Sequence, residues 1–107
     1  MANNFSDTSS AITSNSLTDV FTATAKSLVI AGTVANTSST TSVNIKIAKM
    51  DATTSTTFTI VENAPLVVGS AFKIPKIVLQ TNDKIQVQSD NASGLITVAL
   101  QLLTDVS

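Results

Sequence analysis

The chain has 107 residues, a net charge of −1 from six Lys and seven acids, and charged residues at 12%. That length suits one domain with one core, because a chain of this size buries roughly 60–70% of its unfolded surface. The residue types it lacks exclude more. Without His, Arg, Trp, Tyr or Cys it has no proton exchanger near neutral pH, no guanidinium fork for phosphate, no broad stacking platform for sugars or bases, and no disulfide or thiolate.

In chain order, residues 1–16 are polar and rich in Ser, Thr and Asn, with Phe5 and Ile12 as the sizeable apolar groups. Such a stretch predicts an extended N-terminal arm, and residues 17–107 then form the β-sandwich domain. Strands are expected over 17–24, centred on Val20 and Phe21, and over 27–36, where Gly32 marks a bulge. Residues 42–50 give the cleanest alternation, Val43, Ile45 and Ile47 against Asn44, Lys46 and Ala48, which predicts one buried and one wet face. Residues 56–62 alternate through Phe58 and Ile60.

Pro65 and Gly69 punctuate a corner over 63–69. Pro75 separates short strands at 70–74 and 76–79 and favours an edge or bulge there. Strands at 84–89 and 94–103 follow, with Ile96, Val98, Leu100 and Leu102 on one face of the last. Polar turns fall at 36–41, 51–55, 81–83 and 90–93. The sum is an all-β fold, a single antiparallel β-sandwich or jelly-roll-like domain of about 7–8 short strands. No window has helical periodicity, no segment approaches the roughly 20 apolar residues of a membrane span, and no signal peptide is expected.

Chemistry finds few footholds. The acids Asp7, Asp19, Asp51, Asp83, Asp90 and Asp105 with Glu62 mostly stand in or beside turns, where Asp caps its own backbone. Nothing in their spacing selects the pair about 5–10 Å apart that two-carboxylate catalysis needs. Ser70 and Lys73 have a Ser-x-x-Lys spacing, but a strand would point them to opposite faces. Asn82-Asp83 and Asp90-Asn91 offer oxygen ligands for calcium, although hydrogen-bonded turns account for both. Sequons at Asn4, Asn36 and Asn91 follow from the abundance of Ser and Thr. The expectation is a non-enzyme with no cofactor and no metal. Scattered Lys give no basic face, so nucleic acid is not an expected partner. A hydroxyl-coated surface suits close neighbours instead, because a hydroxyl is easier to desolvate than a charge. The arm is the candidate binding element: about 50 Å long when extended, with Phe5 and Ile12 as anchors on a neighbouring subunit.

A cadence in the second half carries a resemblance. The run Glu62-Asn63-Ala64-Pro65-Leu66-Val67-Val68-Gly69-Ser70-Ala71-Phe72, followed by the segment from Lys76-Ile77-Val78-Leu79 to Asp83-Lys84-Ile85-Gln86-Val87, resembles small virion proteins of tailed bacteriophages. Val34-Ala35-Asn36-Thr37-Ser38 and Val43-Asn44-Ile45-Lys46 resemble their early strands. The likeness spans residues 20–103 and departs at Thr81-Asn82, where those proteins place a Gly before the Asp. It implies a β-sandwich virion protein in a homo-oligomer, with a trimer favoured, bound to major capsid or neck and tail subunits. Its location would be the virion, assembled in the host cytoplasm, and its role capsid decoration or cement. The alternative is a neck, collar or tail accessory, or a module that binds host-surface glycans.

Overall fold

The computed structural model describes residues 4–104, all of whose regular structure is strand; Asp105 lies outside the described residues. The chain forms one long antiparallel ribbon folded back at residues 52–55. Its outgoing half is β1 (Asn4–Ile12), β2 (Thr18–Thr22), β3 (Ser27–Asn36) and β4 (Val43–Asp51). The returning half is β5 (Thr56–Leu66), β6 (Ala71–Ile74), β7 (Ile77–Leu79), β8 (Lys84–Ser89) and β9 (Ile96–Thr104). Across the ribbon β4 pairs with β5, β3 with β6 and β7, β2 with β8, and β1 with β9. The ribbon then wraps so that β3 meets β9 and β4 meets β8. Two antiparallel sheets result, β1-β9-β3 with β6 and β7 both on the far side of β3, and β2-β8-β4-β5.

The facing surfaces carry the apolar half of each alternation. Val29, Val34, Val98, Leu100 and Leu102 of the first sheet pack with Val43, Ile45, Ile47, Ile85 and Val87 of the second. Each such side chain, fully buried, contributes about 1.5–3 kcal/mol relative to exposure. The two-sheet reading of the sequence therefore holds, and the interruption at Pro75 is an edge, as proline requires.

Four expectations need correction. Residues 4–12 are a strand of the domain's own first sheet, paired without a break from Asn4↔Thr104 to Ile12↔Ile96, so in this region the arm is part of the sandwich. Ile12 is 3% exposed and belongs to the core, which removes it as an anchor on a neighbour. The bulge of β3 falls between Val29 and Ala31, not at Gly32. Gly32 sits opposite Leu100 and Ile74, and a Cβ there would lie 2.8 Å from Leu100 Cδ2; close packing explains that glycine. Finally, β5 runs through Pro65 to Leu66, because an edge strand spares a proline its missing N–H. The corner itself is the turn closed by Ser70, whose amide and hydroxyl both donate to the Val67 carbonyl.

Candidate functional site

The turns absorb the polar residues that chemistry would need. Both Asp83 oxygens are engaged: Oδ1 accepts from the Ala52 amide at 3.0 Å and Oδ2 from the Gln80 amide at 3.0 Å, with Lys49 Nζ 3.6 Å away. Burial opposes ionisation of this carboxyl, but the two amides and the ammonium outweigh it and hold the group below the usual carboxylate range. Asn82, beside it, has φ 72°, the left-handed conformation that Asn tolerates in place of Gly. Asp90 accepts from the Asn44 amide, and Asn91 from that of Ser93. Asn36 is buried; its Nδ2 donates to the Thr41 and Leu66 carbonyls and its Oδ1 accepts from the Ser38 amide. Ser70 is committed to Val67, so its hydroxyl and Lys73 form no pair. Among the described residues no three acids cluster as a metal would need.

The outer faces of the two sheets differ. On the second sheet, Asp19 accepts from Gln86 Nε2 at 2.7 Å and Lys84 Nζ at 3.1 Å, and Lys46 lies 3.8 Å from Glu62. The Gln86 hydrogen bond is the largest cause holding the Asp19 carboxyl below its usual range, with Lys84 adding to it. This is a hydrated, charged surface.

The first sheet presents something else. Directly opposed strand residues share a face, and the registers Phe5↔Leu103, Leu103↔Leu28 and Leu28↔Val78 set four apolar side chains in one row across β1, β9, β3 and β7. Phe5 is 81% and Val78 51% exposed. The next row on that face is Asp7-Gln101-Ala31, and beyond it the rows Ser9-Ala99-Thr33-Lys73 and Ala11-Thr97-Ala35-Ala71 are mostly small or hydroxylic. Asp7 and Lys73 are the charged residues on those paired rows, at opposite edges of the sheet. Of the two expected anchors, Phe5 thus lies on an open surface and Ile12 in the core. Leu28, Leu103 and Val78 escaped the sequence reading. Their signal was broken alternation, apolar residues adjoining apolar ones at 28–30, 77–79 and 102–103.

Two solved structures of a pentameric capsid protein from metagenomic phage sequences are similar to the chain, each at 16% identity, a TM-score of 0.48 and 94% coverage of this chain. The chain spans 62% of one and 60% of the other. No family model and no curated protein matches it.

Proposed function

We propose that the chain is a structural subunit of a phage particle, a decoration or cement protein that works by packing its first sheet against major capsid subunits. The observation that carries this reading is the apolar row Phe5-Leu103-Leu28-Val78 on a face whose other paired rows are mostly small and polar, with Asp7 and Lys73 as their charges. Exposed apolar surface flanked by polar residues marks interaction sites, and this one is the less costly sheet to desolvate because its strands carry two charges, Asp7 and Lys73, against six on the strands of the other sheet. The phage-like cadence of the sequence supports the same reading. So does the strand order, which is that of a jelly roll once β6 and β7 count as one interrupted strand; that architecture serves many capsid domains, a fold-level analogy.

Self-association belongs to the proposal, the resemblance favouring a three-fold assembly that the native mass of the purified protein reads directly. Particles lacking the protein, incubated with wild type or Val78→Asp, test the docking face. The variant should bind at least tenfold more weakly while melting as the wild type does. Equal binding by both proteins overturns the assignment. Copy number per particle then separates the locations: hundreds indicate cement, while six to a few dozen indicate neck or tail.

A further inference from the structure

The described residues form four sheet edges, and three are blunted in the ways that prevent strand addition. On the far side of β3 the edge is split into four- and three-residue pieces at Pro75, with Lys73 and Lys76 beside the break. β2 has five residues and a bulge between Asp19 and Phe21. β5 shifts register twice and contains Pro65 and a left-handed Asn63 at φ 55°. β1 has none of these devices. It runs nine residues in unbroken register with no Pro, Gly or Lys, and its other side is unpaired.

We infer that β1 pairs antiparallel with β1 of a second copy about a two-fold axis at Thr8, joining the two first sheets into one continuous sheet. Every copy has this open edge, and the strand's own residues fix the register. A two-fold perpendicular to the sheet keeps faces aligned only when it passes through a residue. An axis at Asp7 would oppose Asp7 to itself, a destabilising like-charge pair. An axis at Ser9 would leave Asn4 and Phe5 unpaired. An axis at Thr8 pairs all nine residues: Phe5 over Ala11, Ser6 over Ser10, Asp7 over Ser9 and Thr8 over Thr8. The large exposed ring then covers the smallest side chain of the strand, and no like charges are directly opposed. Such pairing presupposes the subunit role proposed above, and combined with a three-fold axis that crosses the two-fold at right angles it makes a six-copy assembly.

The chain has no cysteine, so single introduced thiols report the register. Thr8→Cys should form covalent dimers with a short thiol–thiol cross-linker at least fivefold more than Ser6→Cys or Ser10→Cys alone, whereas an equimolar mixture of those two, half of whose dimers are mixed, should reach about half the Thr8→Cys yield. Independently, Ser9→Lys faces Asp7 of the other copy and should tighten self-association, and Ser9→Asp should weaken it, each by up to about thirtyfold because the two-fold makes the contact twice. The inference is overturned if Thr8→Cys cross-links no better than a Thr53→Cys control at the hairpin tip, or if both Ser9 variants leave the dissociation constant unchanged. Both measurements use the purified full chain. A failure of particle binding therefore leaves them intact, and their failure leaves particle binding intact.

Discussion

At the scale of single residues, the buried polar groups act as turn organisers. Asp83 is 1% exposed and ties the turn before β8 to the β4–β5 hairpin through the Ala52 amide and Lys49. Its folded-state carboxyl lies below the unfolded value. The stability it contributes is therefore fully present above the unfolded pKa of about 3.9 and is lost as pH falls through the lower folded value. Asp83→Asn keeps one acceptor but leaves an amide and the Lys49 ammonium poorly matched. It should cost about 2–3 kcal/mol at pH 7, and urea unfolding should show the gap between wild type and variant shrinking by pH 3. An equal gap at both values would mean that shape, not charge, makes Asp83 matter.

At the scale of elements, β1 separates stability from binding. Its inner face presents Ser6, Thr8 and Ser10 before Ile12, so the strand is held largely by its ladder and by one apolar peg. Gly94 presses against the end of that peg: at φ 73° it lies where a Cβ would meet the Ile12 carbonyl oxygen. Ile12→Ala should cost about 2–4 kcal/mol, whereas Phe5→Ala should stay within about 0.5 kcal/mol and instead weaken particle binding. Chemical denaturation beside a binding assay checks both; a large stability loss in Phe5→Ala would place that ring in the fold. The same strand shows where sequence reasoning ends. β4, β8 and most of β9 were legible because Val, Ile and Leu alternate there with other residues, and β3 because an apolar run stands between polar turns. In β1 both faces carry hydroxyls, leaving no contrast to detect, and it resembles an unstructured arm until β9 stands beside it. The apolar row was hidden for a related reason. Its four members lie far apart in sequence and meet only through long-range pairings, two across the ribbon and one, Leu28 with Leu103, made by the wrap.

At the scale of the whole molecule, the ribbon brings the described ends together. Asn4 is directly opposite Thr104, whose hydroxyl donates to the Asn4 carbonyl at 3.2 Å, so the β1–β9 ladder closes nearly the full chain. Pairings of such sequence separation form only after much loop entropy is lost, which makes this topology slow to fold. The remedy is local. Directly opposed residues in an antiparallel pair have Cα atoms about 4.5–5.5 Å apart, within the span a disulfide bridges. In Asn4→Cys/Thr104→Cys, oxidation would restrict the unfolded chain through a loop of about 100 residues and should stabilise the fold by about 2–4 kcal/mol. Thermal melts with and without reductant should then differ by about 10 °C or more. Because the bridge acts at the far end of the ribbon from residues 52–55, it fastens the β1 edge without touching the hairpin turn. An oxidised protein that melts no higher than the reduced one would show that the bridge strains the Asn4–Thr104 pair by as much as it restricts the unfolded chain.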